Sequence, residues 1–136
     1  MFLKSFDGTG IYYKIKKKSG LFLIFIHGWA SNWTVWKEET NFFQKQGFST
    51  LTLDLRGHGL SNKPENKEKY NFECFAKDIH EIVKKEKITN LVLIGHSMGG
   101  MIALTYYKLF NEKIKAIILC DTTYKNILEH KKIKIL

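Results

Sequence analysis

The chain has 136 residues, 44% of them hydrophobic and 26% charged, which predicts a single globular domain with a substantial core. Its net charge of +9 comes almost entirely from lysines, and Arg56 is the only arginine. The scarcity of arginine argues against specific nucleic-acid binding. The lysines are better explained as a solvated surface than as a site for non-specific polyanion binding. No apolar run approaches the roughly 18 residues that span a bilayer, which argues against a membrane protein.

The predicted strands are short apolar segments. FLKSF and GIYYKIK flank Asp7–Gly10 and predict an N-terminal antiparallel hairpin. Later runs are almost continuously apolar, as in parallel strands that are covered on both faces. There are four of them: Leu21–Ile26, Ser49–Leu55, Leu91–Gly95 and Ala116–Cys120.

Three helices are predicted between these strands. The first covers about Trp33–Gln46, with Gly47 as its left-handed stop. The second follows Asn71, a candidate cap, and carries an apolar stripe at helical spacing. The third begins at Ser97 and continues through residues 101–110. Alternating strands and helices predict an α/β fold, a mostly parallel sheet with right-handed crossovers and helices on both faces.

The segment GHSMGG places Ser97 where the third parallel strand meets its helix. A sharp turn at this point strains the serine backbone and needs small neighbours, which Gly95, Gly99 and Gly100 provide. The hydroxyl is then presented above the sheet, where the helix N-terminus directs free amides at an oxyanion. Ser97 is therefore predicted to be a nucleophile, with a plain helix N-cap as the alternative.

Three segments, HGWASNWTVW, DLRGHGLSNKP and GHSMGG, occur in this order along the chain. With them the chain resembles the N-terminal half of α/β-hydrolase-fold enzymes, in particular small carboxylesterases such as the pimeloyl-carrier-protein methyl ester esterases. The resemblance implies a truncated α/β-hydrolase fold over residues 1–136, a small-molecule acyl substrate, and neither a metal nor an organic cofactor.

The resemblance also implies roles for individual residues. Ser97 would be the nucleophile, and the backbone amides of Met98 and Trp29 would stabilise the oxyanion. His27 and Gly28 would support the loop that carries Trp29. Together these residues predict hydrolysis through an acyl-enzyme on Ser97.

The catalytic base is the part of the triad that the chain does not readily provide. In the family the acid and the histidine follow the serine along the chain, so the resemblance implies that the later strands, the lid and the usual base lie beyond Leu136. Asp121 and His130 respect that order, but only eight residues separate them, and a base must reach the serine while a third group holds it. The remaining histidines fit the role less well: His27, His58, His80 and His96.

Three functional hypotheses remain open. The chain is an esterase half that needs a partner, a minimal hydrolase that uses Asp121 and His130, or a non-catalytic binding module. An exposed last strand would favour self-association or pairing with a separately encoded C-terminal half. The N-terminus lacks the apolar segment of a secretory signal, which predicts a cytoplasmic protein. Cys74 and Cys120 lie far apart and are expected to be reduced thiols rather than metal ligands.

Overall fold

A six-stranded sheet forms the centre of the computed structural model, which describes residues 1–123. The strands are β1 Phe2–Lys4, β2 Gly10–Lys16, β3 Leu21–Ile26, β4 Ser49–Leu53, β5 Asn90–His96 and β6 Ile114–Cys120. The helices are α1 Lys37–Lys45, α2 Phe72–Lys85 and α3 Met98–Leu109, with single 3-10 turns at Trp33–Trp36 and Lys67–Tyr70.

The strand order across the sheet is β1-β2-β4-β3-β5-β6. Strands β4, β3, β5 and β6 run parallel, whereas β1 and β2 form an antiparallel hairpin that pairs with β4. The predicted mostly parallel sheet with an N-terminal hairpin is confirmed. Because β3 lies between β4 and β5, the loops after these three strands meet at one edge, where such sheets build their sites.

Helices cover both faces of the sheet, as predicted. Along β3, Ile24 and Ile26 pack on one face with α2 and α3, while Phe25 packs on the other with Phe43 of α1 and with Trp36 just before that helix. This alternation is the period of two expected for a strand buried on both faces. Within residues 1–123, no helix has the length and apolar character needed to cross a bilayer.

The observed elements differ from the predicted ones mainly at their ends. Strand β4 ends at Leu53, two residues before the predicted end at Leu55. The first predicted helix starts with the 3-10 turn and continues as α1. The stop at Gly47 is confirmed by its φ of 88°. The Asn71 cap is confirmed as well, since its side chain accepts a hydrogen bond from the Cys74 amide.

A buried ion cluster around Arg56 joins three parts of the fold. The fully buried guanidinium donates to both carboxylate oxygens of Asp78 on α2, at 2.7 and 2.6 Å, and to Asp7 in the β1–β2 turn at 3.1 Å. It also donates to the Lys69 carbonyl at 2.9 Å. Burial opposes the charge, but these carboxylates raise the pKa of Arg56. Arg56, the only arginine of the chain, therefore has a structural role.

Candidate active site

Ser97 occupies a strained turn between β5 and α3. Its backbone has φ 52° and ψ −119°, a conformation that costs free energy for any residue with a side chain. The turn is anchored because the Ser97 amide donates to the Cys120 carbonyl at 2.9 Å and the Thr122 hydroxyl donates to the Ser97 carbonyl at 2.6 Å. The Ser97 side chain makes no capping hydrogen bond to α3. This geometry counts against the plain N-cap interpretation.

Glycines allow the backbone to pack closely around the turn. A Cβ atom at Gly95 would lie 2.4 Å from the Gly99 carbonyl oxygen, and one at Gly99 would lie 2.2 Å from the Ile26 carbonyl oxygen. A Cβ at Gly100 would lie 2.5 Å from Thr122 Cγ2. The start of α3 thus rests directly on the end of β3, and a larger residue would separate the two elements.

The loop after β3 lies against the serine turn. A Cβ at Gly28 would be 3.3 Å from Ser97 Cβ. The next amide, that of Trp29, donates no hydrogen bond to any residue in 1–123, and the same is true of the Met98 amide. A free amide is expected for Met98, since the first residues of a helix have no acceptor within it. Two amides next to Ser97 are therefore available to a ligand.

A cavity of about 510 Å³ opens beside Ser97. Its walls are mainly apolar and include Trp29, Val35 and Trp36. The Trp29 side chain is 71% exposed and packs edge-on against His58, with ring centroids 5.4 Å apart. Such a cavity can hold an apolar group with its reacting atom next to the serine hydroxyl.

His27 braces the loop that carries Trp29. Its Nε2 accepts a hydrogen bond from the Leu55 amide at 3.0 Å, so the proton resides on Nδ1, which donates to the Gly28 carbonyl at 2.7 Å. Burial lowers the pKa of His27 even though the Gly28 carbonyl favours the charged form. Because both ring nitrogens are engaged, His27 has no free nitrogen to accept the Ser97 proton.

The other described histidines do not hydrogen-bond to the Ser97 hydroxyl. The buried His58 ring lies with Nδ1 3.0 Å from the Arg56 carbonyl. On α2, His80 stacks on Phe110 with ring centroids 3.8 Å apart. His96 lines the cavity, a position that sequence reasoning did not foresee. No histidine in residues 1–123 therefore forms an assembled, hydrogen-bonded triad with Ser97.

The Asp121–His130 pair stays a prediction. Asp121 follows β6 and has a φ of 47°. The last residue of β6, Cys120, lies opposite His96 of β5. The Asp121 carboxylate forms no hydrogen bond to a histidine of residues 1–123. His130 lies outside the described residues.

Asp54 supports the loops beside the site and was not singled out from the sequence. Its buried carboxylate accepts hydrogen bonds from the Trp33 amide at 2.7 Å and the Leu60 amide at 2.8 Å. A Cβ at Gly59 would lie 2.2 Å from the carboxylate. Asp54 thus fixes the loops after β3 and β4 relative to each other. The sequence signal for Asp54 was an acidic residue that comes directly after an apolar strand and is followed by Gly57 and Gly59.

Residues 1–123 contain no group of three or more His, Cys, Asp or Glu side chains arranged to hold a metal ion, so no metal site is assigned to this part of the chain.

Comparison with known proteins gives consistent matches along the chain. The model of the alpha/beta hydrolase fold family matches residues 22–136. Epoxide hydrolase 4 of Mus musculus is 30% identical in an alignment that covers 88% of this chain and 36% of that protein. The structure of the esterase EaEST from Exiguobacterium antarcticum has a TM-score of 0.83 and 32% identity, covering 90% of this chain and 45% of that one. The chain spans less than half the length of these relatives.

Proposed function

The chain belongs to the alpha/beta hydrolase fold family, and from that premise we propose that Ser97 is the nucleophile of a hydrolase that cleaves carboxylic esters or related acyl bonds. The observation that carries the proposal is the strained backbone of Ser97, which has no capping role and borders a cavity. Strain of this kind persists where the surrounding structure enforces it, and it is concentrated at reactive sites. The similarity to the esterase EaEST supports an ester substrate.

The proposed reaction proceeds through an acyl-enzyme. A base removes the Ser97 proton, the hydroxyl oxygen attacks the carbonyl carbon of the ester, and the amides of Met98 and Trp29 donate hydrogen bonds to the resulting oxyanion. Removing one such donor typically costs about 2.7–4 kcal/mol of transition-state stabilisation. The alcohol leaves with a proton, and water then releases the acid from Ser97. The apolar side chains of Val35 and Trp36 would contact the acyl group.

We infer that the base comes from outside residues 1–123. Support comes from the histidines of residues 1–123, none of which hydrogen-bonds to the Ser97 hydroxyl, and from His27, both of whose ring nitrogens are engaged. Within the described sheet β6 pairs with β5 alone, and Ile118 on β6 is 48% exposed. We propose that one further segment, a C-terminal half or a second copy of the chain, covers this edge, and that a C-terminal half would also bring the base. In this proposal residues 1–136 are the N-terminal part of one hydrolase domain.

A fluorophosphonate probe, followed by peptide mass mapping, tests the nucleophile. We expect phosphonylation at Ser97, none in Ser97→Ala, and unchanged labelling in Ser31→Ala, a serine that lines the same cavity. Without a histidine base in reach, the labelling rate should rise continuously from pH 6 to pH 9 as hydroxide takes the proton. A plateau above about pH 7 would instead indicate a histidine base within the chain. Absence of labelling at pH 9 would favour a non-catalytic binding module.

Turnover of a short p-nitrophenyl ester separates the proposed half-enzyme from a minimal hydrolase. We expect negligible turnover by the 136-residue chain, because no described base activates Ser97. The release of p-nitrophenol can be followed by its absorbance. Turnover that disappears in both Ser97→Ala and His130→Ala would identify His130 as the base and contradict the proposal that a C-terminal half brings it.

A further inference from the structure

A groove lined with lysines lies between β2, β4 and α1, apart from the Ser97 cavity. It consists of two adjoining cavities of about 240 and 330 Å³ that share Lys16, Asn41 and Gln44. Among residues 1–123, no aspartate or glutamate lines either cavity. We call it the lysine groove, after the five side chains that line it: Lys14, Lys16, Lys18, Lys37 and Lys45.

The lysines converge because residues two apart on a strand, or three or four apart on a helix, lie on the same face. Lys14 and Lys16 are alternate residues of β2, so their side chains leave the same face of the sheet. On α1, Lys37, Asn41 and Gln44 are spaced four and three residues apart and share one face of the helix. The register of the sheet places Lys14 opposite Thr52 of β4. Strand and helix thus contribute positive charge to one concave surface.

The lysines of the lysine groove form no salt bridge within residues 1–123. None of its five lysines forms a salt bridge with a described carboxylate, whereas Lys17, Lys69 and Lys84 each pair with one. Positive charges that line one groove repel one another, and a bound anion would relieve that repulsion. The lysine groove therefore differs from those parts of the surface where lysines pair with carboxylates.

Neutral groups of the lysine groove can complete an anion site. Asn41 lines the groove and is exposed, whereas Thr50 and Thr52 line it and are buried. The Gln44 amide is held in place because its nitrogen donates to Thr50 Oγ1 at 2.7 Å. Lys14 Nζ lies 3.9 Å from the centre of the Trp33 ring, a cation–π contact that positions this ammonium at the wall.

We propose that the lysine groove binds a phosphorylated ligand with two or more negative charges. Lysine ammonium groups bind phosphate as point charges, and the amide and hydroxyl groups supply further hydrogen bonds. The size of the cavities suits a group such as a diphosphate or phosphate ester. A soluble phosphate compound and a phosphorylated lipid headgroup share this chemistry. The site is independent of Ser97, so it stands whether or not the chain is a hydrolase.

Titration calorimetry with inorganic pyrophosphate at low ionic strength tests the groove. The triple variant Lys14→Gln, Lys16→Gln, Lys37→Gln is expected to weaken binding at least about tenfold, because each close charge pair contributes substantially and salt screening is weak. The matched control removes three charges elsewhere: Lys4→Gln, Lys108→Gln and Lys115→Gln. We expect less than about a twofold change in the control, with far-UV circular dichroism showing that both triple variants are folded.

Vesicle co-sedimentation distinguishes the two sources of phosphate. Phosphatidylcholine vesicles with and without a phosphatidylinositol phosphate are mixed with the wild-type chain and both triple variants. Headgroup-dependent sedimentation that only the groove variant loses identifies a lipid ligand. Pyrophosphate binding without sedimentation identifies a soluble one. Equal weakening in the two triple variants, or no binding of either probe by the wild-type chain, would overturn the proposal.

Discussion

Replacing Asp78 with alanine is expected to lower the free energy of unfolding by about 3–5 kcal/mol. The Arg56 guanidinium is fully buried, and Asp78 accepts hydrogen bonds from it at 2.6 and 2.7 Å. Without that carboxylate, a buried charge keeps weaker contacts to Asp7, the Lys69 carbonyl and the Phe6 ring. Urea denaturation followed by circular dichroism measures the loss.

The control for Asp78 is Glu81→Ala on the same helix. Glu81 pairs with Lys84, whose side chain is largely exposed, and such surface pairs contribute at most about 1 kcal/mol. A double variant, Arg56→Met with Asp78→Leu, removes both buried charges and should be more stable than Asp78→Ala alone. Similar losses in Asp78→Ala and Glu81→Ala would show that the buried pair does not hold the hairpin, the β4 loop and α2 together.

Replacing Gly99 with alanine is expected to lower the free energy of unfolding by about 1–3 kcal/mol and to reduce labelling of Ser97. The added Cβ would lie 2.2 Å from the Ile26 carbonyl oxygen and 2.7 Å from that of His27. Both are backbone atoms, so no change of rotamer relieves the overlap. The first turn of α3 must move away from β3, which carries the Met98 amide away from Trp29. Urea denaturation and the rate of fluorophosphonate labelling measure the two effects.

The matched control for Gly99 is Gly20→Ala. A Cβ at Gly20 would have no heavy atom of the described chain, residues 1–123, within 4 Å, and the Gly20 backbone is not in the left-handed region. We expect its free energy of unfolding to stay within about 0.5 kcal/mol of the wild-type value and the labelling of Ser97 to be unchanged. If Gly99→Ala matched this control in both measurements, close packing of β3 against α3 would not be what positions the serine turn.

Local patterns in the sequence were enough to predict most of the fold. Continuous apolar runs identified β3 and β5, because a strand covered on both faces needs apolar side chains on both sides. The Asn71 cap and the Gly47 stop could be predicted because each depends on the backbone geometry of a few neighbouring residues. The strand-to-helix turn at Ser97 could be predicted for the same reason, since its glycines and serine are close together in the chain.

Other features depended on which elements the folded chain brings together. Arg56 and Asp78 meet because the loop after β4 packs against α2, and nothing near either residue in the sequence specifies that contact. The tautomer of His27 follows from the Leu55 amide, which a different strand order would place elsewhere. The lysine groove likewise requires the register of β2 on β4 and the packing of α1.

The sequence by itself therefore determined the elements of this protein, their order and the strained serine turn. These follow from hydrogen bonds and periodicities between near neighbours in the chain. Only the tertiary structure decided which buried charges are paired, which histidines are engaged and where lysines converge. Such contacts join residues that are distant in the chain, and their geometry is fixed only when the sheet and its helices have packed.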